Sequence, residues 1–554
     1  MRKWNLGWVS WTPLAFLAVF FFYPLFEILR LSLAPEGKLD LAPLAALVQQ
    51  PYYGRVLWFT TWQAVISTLL TLALGLPAAY VFARYTFPGK TLLRALSTIP
   101  FVMPTVVVAA AFSALLGPNG AVNRWLMQAL HLGQPPLQLQ QTIWMILLAH
   151  VFYNATIVLR MVGGFWANLD PRLEQAAAVL GASRWRAFRE ITLPLLLPSL
   201  TAAGLLIFLF CFTSFGVILI LGGPRFATLE VEIYRQAVNL FRLPMAAALA
   251  LLQMVLTFAI MALYTRMQAR NVVVLNFKPQ QATQRRIRGW RQFAVVGSGI
   301  TLLFWLLLAP LAALIVRSVS TPGGVSLAYY QALFINQRQS ILFVPPVAAM
   351  RNSLIFALLT LALALILGVL SAYLLTRPRL RVSAWLDPIF MLPLGASAVT
   401  LGLGFLVALD APPLNLRASP LLVPLAHTLV ALPFVIRSLL PVLRGLNPHL
   451  REAAAVQGAS PRRVWREVDL PMLAPALIVG AVFAVTVSLG EFGATALIAR
   501  PETPTLPLVI YRFLGQPGAQ NYGQALAAST LLMLVCAAGF ILLERVRYEE
   551  VGEF

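Results

Sequence analysis

His150 and His427 each stand alone inside an apolar run, and Glu491 closes another run that carries no charge from Leu470 onward. An ionisable side chain in hydrocarbon is costly, so each is a functional candidate by default. For the two histidines the plainer reading is a neutral imidazole bonded to a neighbouring helix. Glu491 could line a solute path and favour a cation; a hydrated position just past the membrane edge is its plainer reading. Ser214-Phe215-Gly216 stands at the position matching Glu491-Phe492-Gly493. A bulky ring beside a glycine supplies the parts of a gate, and close helix packing accounts for the same residues. Little else here could do chemistry. His131 and His449 lie far from the other histidines, and Cys211 and Cys536 sit in apolar segments, so neither a metal site nor a disulfide is expected. No Gly-x-x-x-x-Gly-Lys-Ser/Thr phosphate loop occurs, so this chain is not expected to be an enzyme that hydrolyses ATP by itself, and it needs no cofactor of its own.

The elements that hold these residues are set by composition. The chain is 60% hydrophobic and 11% charged over 554 residues. A soluble protein with that ratio would be one continuous apolar patch. Many segments run to about 20 apolar residues, the length that spans a bilayer as a helix. We expect an all-α polytopic membrane protein with about twelve spans. They lie near 11–33, 58–84, 98–116, 142–162, 195–222 and 245–265, then near 293–316, 350–376, 386–409, 422–443, 470–498 and 524–543. The net charge of +22 follows from Lys and Arg gathered in alternate loops, the positive-inside pattern, and not from nucleic-acid binding. That bias places both termini on the cytoplasmic side of the cell (inner) membrane. The apolar stretch from Trp11 lacks a small-residue cleavage site and reads as a retained first span. A basic linker at 267–292, with Arg285, Arg286 and Arg288, separates two halves, 1–266 and 293–554. Its charges face anionic lipid or water.

The halves repeat each other. Gly75, Tyr80 and Arg84 match Gly368, Tyr373 and Arg377 at an offset of 293. Beyond a loop of different length the offset is 277: His150 matches His427, Arg160 matches Arg437, Phe215-Gly216 matches Phe492-Gly493, and Ile233-Tyr234-Arg235 matches Ile510-Tyr511-Arg512. A direct repeat of six spans implies a pseudo-twofold axis along the membrane normal, with a translocation path at the interface.

Within this repeat lies a duplicated polar loop, 170–194 and 447–471. The first copy reads Asp170-Pro171-Arg-Leu-Glu174-Gln175-Ala-Ala-Ala-Val-Leu-Gly181-Ala-Ser183 and then Ile191-Thr-Leu193-Pro194. The second reads Asn447-Pro448-His-Leu-Arg451-Glu452-Ala-Ala-Ala-Val-Gln-Gly458-Ala-Ser460 and then Val468-Asp-Leu470-Pro471. Asp170 and Asn447 suit an N-cap with proline at the first helical position. The alanine run favours helix, and Gly181 and Gly458 suit a left-handed stop. Ser183 and Ser460 then cap a second short helix. The expected product is a helical hairpin along the cytoplasmic face.

The pattern Glu-Ala-Ala, three residues, Gly, nine residues, Ile-x-Leu-Pro resembles the hallmark loop of ABC importer permeases. Glu452-Ala453-Ala454, Gly458, Val468 and Leu470-Pro471 carry it with Val for Ile. Gln175-Ala176-Ala177, Gly181, Ile191 and Leu193-Pro194 carry it with Gln for Glu. Nearly the whole chain resembles a fused type I, binding-protein-dependent permease of the thiamine and ferric-iron group, most closely the thiamine permeases. The resemblance implies two ABC ATPase subunits that bind ATP and Mg, an external solute-binding protein, and thiamine or ferric iron as solute. It places Glu174, Gln175, Ala176, Ala177, Gly181 and Trp185, with Glu452, Ala453, Ala454, Gly458, Arg462 and Trp465, at the ATPase contact. A secondary transporter with two six-helix repeats is the alternative. It predicts buried carboxylates for ion coupling, and the spans are nearly free of them.

Overall fold

The computed structural model describes residues 11–270, 283–335, 342, 344–376, 383–410 and 414–551. Part of the basic linker (271–282) and Arg377, the repeat partner of Arg84, lie outside them, as do the outermost residues of both termini.

The chain is helical. Among the described residues the strands are two-residue pairs only: Tyr85–Thr86 with Arg285–Arg286, parallel, and Ser320–Thr321 with Gly324–Val325, antiparallel. Among the described residues eleven helices are long and apolar enough to cross a membrane, twelve if the bent pair Leu386–Gly395 and Ala398–Ala408, broken by 97°, counts as one span. This pair covers the ninth span expected near 386–409. The third span breaks at the matching place, between Ile99–Val102 and Thr105–Leu116. Pro104 supplies the reason in that copy, since proline excludes the α conformation from the residue before it.

The described residues form two compact units. One holds Gln50–Glu232 and Val255–Ser326. Its centre is Pro51–Arg84 packed on Ile143–Asn168 and on Leu193–Phe212. The other holds the residues up to Gln49, Ile233–Met254 and those from Leu327 onward. Its centre is the repeat of that trio: Pro346–Leu375, Leu422–Gly445 and Leu470–Gly490. Small residues line the trio, with Ala364, Ala372, Ala431, Ala476 and Ala484 around Val435. Lipid tails are as apolar as side chains, so such helices associate through close packing, which small residues permit.

Each half lends its first span to the unit built mainly from the other half. Tyr23–Leu33 packs on Ala398–Ala408, where a Cβ on Gly404 would lie 2.9 Å from Pro24 Cβ. Likewise Ala309–Ser318 packs on Thr105–Leu116. Both helices carry a proline in their first turn, Pro24 and Pro310. Hydropathy fixes that these segments span but not what they span beside.

Candidate functional site

The duplicated loop forms the expected hairpin; Asn447 caps the second copy with Pro448 at the first helical position, whereas in the first copy the helix begins one residue later, at Arg172, with Pro171 at the cap position. Asp170 Oδ1 accepts the Arg172 N–H at 3.0 Å, and Asn447 Oδ1 accepts the His449 N–H at 3.0 Å. Arg172–Val179 and Pro448–Val456 follow as helices. Gly181 and Gly458 then take φ +83° and +81°. Both turns close in the same way: Gly181 N–H donates to Ala178 O and Ala182 N–H to Ala177 O, all at 3.0 Å, as Gly458 and Ala459 do to Ala455 and Ala454. This is the paired bonding that satisfies the last carbonyls of a helix ended by a left-handed residue. Ser183 and Ser460 cap the next turn through the N–H groups of Arg186 and Arg463.

The second helix of each hairpin is not a separate piece on the membrane face. Arg184–Phe212 and Pro461–Gly490 are each one apolar helix, so the hairpin runs directly into the fifth span. The join is a π-turn in both copies, Phe188–Thr192 and Trp465–Asp469. Pro194 and Pro471 lie just beyond. Proline lacks an N–H and its ring clashes with the carbonyl four residues back, and the wider turn makes room for it.

The hairpin tips expose apolar side chains: Val179 is 87% exposed, Leu180 88% and Val456 89%. Gln175, Ala176, Trp185, Glu452, Ala453 and Arg462 are exposed beside them, and Trp465 is half-buried. Ala177 is buried, and Glu174 is half-buried, its carboxylate bonded toward the spans. Glu174 Oε1 lies 3.2 Å from Arg84 Nη2 and accepts the Thr192 hydroxyl at 2.7 Å. Arg84 is itself buried and donates to Leu169 O at 3.1 Å. In the second copy, Arg451 Nε lies 2.7 Å from Asp469 Oδ1, and the Tyr373 hydroxyl donates to Asp469 Oδ2 at 3.4 Å.

Beside this region Arg285-Arg286 pairs with Tyr85-Thr86, which follows Pro51–Arg84, and Lys90 Nζ donates to Tyr85 O at 2.6 Å. Burial pushes the Lys90 ammonium down to about 8, with the nearby Arg94 charge adding to the shift.

At the other end of the fifth span the structure departs from the sequence reading again. Both copies stop, at Phe212 and Gly490, and resume at Gly216 and Gly493. Ser214-Phe215 and Glu491-Phe492 occupy these breaks. Phe215 and Phe492 are buried, and the Phe492 ring lies 5.3 Å from that of Tyr511. Glu491 is half-buried, not a freely hydrated loop acid: its Oε1 accepts the Ala494 N–H at 2.9 Å and caps Gly493–Ile498.

Both buried histidines are held between hydroxyls. His150 has Ser67 Oγ at 2.9 Å from Nδ1 and Ser214 Oγ at 2.9 Å from Nε2. His427 has Ser488 Oγ at 2.8 Å and Thr495 Oγ1 at 2.9 Å, and Ser488 reaches Thr360. Ser67 and Thr360 match at the offset of 293. So do Thr60 and Ser353, whose hydroxyls accept the N–H of Leu229 (3.0 Å) and Leu506 (2.8 Å). These four residues escaped the sequence reading. Ser against Thr is not an identity, but the same offset would have found them.

The family model for "Binding-protein-dependent transport system inner membrane component" matches residues 71–273 and again 364–547. This chain belongs to that family. It is a multi-pass inner-membrane permease subunit of an ABC importer. A probable ABC transporter permease protein of Sinorhizobium fredii is 26% identical over 97% of this chain and 95% of its own. The thiamine transport system permease protein of Escherichia coli is 28% identical over 90% of each. A bacterial ABC transporter involved in import of the polysaccharide alginate aligns over 49% of this chain and 97% of its own, at 19% identity and a TM-score of 0.42. In this permease both hairpins fall inside the matched stretches, and so do both histidines.

Proposed function

We propose that this permease translocates thiamine, delivered by an external solute-binding protein, and that its two hairpins dock two ATPase subunits on the cytoplasmic face. The docking reading is carried by the duplicated hairpins with their exposed apolar tips. Apolar side chains grouped on an otherwise charged surface fit a protein contact. ATP and Mg belong to the partner subunits, since the chain has no phosphate loop of its own. The solute reading is supported by similarity to thiamine permeases over nearly the full length. From the positive-inside bias we infer that both termini and the basic linker at 267–292 face the cytoplasm, with Pro118–Gly120 outside. A reporter fused at each of these places checks the topology, and a cytoplasmic signal at Pro118 sinks it.

Uptake decides the solute. Cells lacking their own thiamine import, supplied with this permease and its ATPase and binding protein, will accumulate labelled thiamine at least tenfold over cells without it. Equal accumulation in the two strains, with labelled ferric iron taken up instead, moves the assignment to iron.

Glu491 offers a sharper test of a cationic solute. Glutamine keeps an oxygen that can accept the Ala494 N–H, so Glu491→Gln removes charge while retaining the cap. Thiamine uptake should fall about tenfold, the effect of roughly 1.4 kcal/mol lost from the barrier step. Unchanged uptake assigns Glu491 to capping alone.

A further inference from the structure

The two hairpins are tied to their bundles at the same positions by opposite charges. Residue 174 of the first copy corresponds to residue 451 of the second, and 192 to 469, at the offset of 277. In the first copy the carboxylate is on the hairpin (Glu174) and the span begins with a hydroxyl (Thr192). In the second the hairpin carries the cation (Arg451) and the span begins with the carboxylate (Asp469). The bonds nonetheless join the same two places, Glu174–Thr192 at 2.7 Å and Arg451–Asp469 at 2.7 Å.

In each copy one charge is buried on the bundle side: the Arg84 side chain is 2% exposed and that of Asp469 9%. The hairpin residue is its counter-charge and is more exposed, 31% for Glu174 and 40% for Arg451. Breaking such a link leaves a buried charge unpaired, which is strongly unfavourable. In the first copy Glu174 thus joins the end of the second span (Arg84) to the start of the fifth (Thr192), and in the second Arg451 holds the start of the fifth span directly, so a hairpin that tilts alone must break these bonds. The position is kept while the sign is reversed, so the connection matters and not the particular residue.

We propose that Glu174 and Arg451 are positioning residues: struts that make each hairpin move as one piece with its fifth span, so that ATPase motion reaches the membrane helices. The proposal rests on the hairpins being the ATPase docking elements. Glu174 and Arg451 themselves face the bundle and so act after docking.

The repeat supplies its own test. Glu174→Arg sets two arginines together, and adding Thr192→Asp recreates the second copy's arrangement within the first. Arg451→Glu sets two carboxylates together, and adding Asp469→Arg restores a pair. Each variant is measured for membrane amount, for ATPase co-purified, and for labelled thiamine taken up per ATP hydrolysed in proteoliposomes with the binding protein supplied. Each single reversal should cut uptake per ATP at least tenfold in complexes that still contain the ATPase, and each double should return to within about threefold of wild type. Where a single reversal fails to insert, recovery of insertion and uptake by the double supports the strut, and no recovery overturns it. Unchanged uptake per ATP in both single reversals also overturns it while leaving docking intact. A wild-type permease that retains no ATPase overturns the docking reading and the strut with it.

Discussion

Gly458→Val will abolish most transport while the protein still inserts, and Gly458→Asn will transport nearly as wild type. The argument is conformational. At φ +81° nothing lies within 4 Å of the place a Cβ would occupy, so no clash arises. The cost is the left-handed backbone itself, about 1–2 kcal/mol for an ordinary L-residue and more for a β-branched one. Asparagine tolerates this region, so it isolates backbone strain from mere loss of glycine. Valine relieves its strain by abandoning the turn, since the tip is open to solvent and held there by the bonds to Ala454 O and Ala455 O. Pro448–Val456 then loses its fixed relation to the helix that continues into the fifth span. Uptake should drop at least tenfold, with less ATPase co-purified; Gly181→Val should act alike through the other hairpin. Equal behaviour of valine and asparagine would show that the left-handed turn is not what transport requires.

What the sequence revealed follows the range of the physics involved. The hairpins were legible almost atom by atom, because Asn447, Pro448, Gly458 and Ser460 act on backbone groups within four residues. The spans were legible because a bilayer sets their length. Their breaks were not: Phe-Gly stands at both, and Glu491 marks the second, but Ser214 carries no charge and apolar residues continue on both sides of each break, so hydropathy alone does not end the helix at Phe212 or Gly490. The exchange of first spans was hidden for a different reason. Apolar helices in lipid carry no patterned face that names a partner. The struts were hidden because matching by identity rejects Glu against Arg, although both serve one connection. Family membership now removes the gradient-driven alternative, which the scarcity of carboxylates within the spans had already disfavoured.

The second large effect is expected where the repeat packs backbone against side chain. Gly75 and Gly368 were visible in the sequence as matched glycines, and the structure gives them one task. A Cβ on Gly75 would lie 2.9 Å from Val158 Cβ, and one on Gly368 would lie 2.5 Å from Val435 Cγ1. Val158 and Val435 match at the offset of 277, so the second and fourth spans cross at one point in each half. In the second half Val435 is wedged tighter still, since a Cβ on Gly480 would lie 3.3 Å from the same methyl. Glycines of two helices therefore lie against one valine of a third, with Ser438 Oγ 3.0 Å from the place of a Gly480 Cβ. Gly368→Ala should overpack this contact at a cost of about 1–3 kcal/mol and lower the thermal midpoint of the detergent-purified permease. Val435→Ala alone should also destabilise, by leaving a cavity. Together they should be more stable than Gly368→Ala alone, because the added methyl occupies space the valine gives up; neighbouring changes of this kind are not additive. Strict additivity of the two changes would mean that Gly368 is there for some other reason than the approach of Val435. Gly368→Leu cannot be rescued in this way, and it should prevent assembly of Pro346–Leu375 with Leu422–Gly445 altogether.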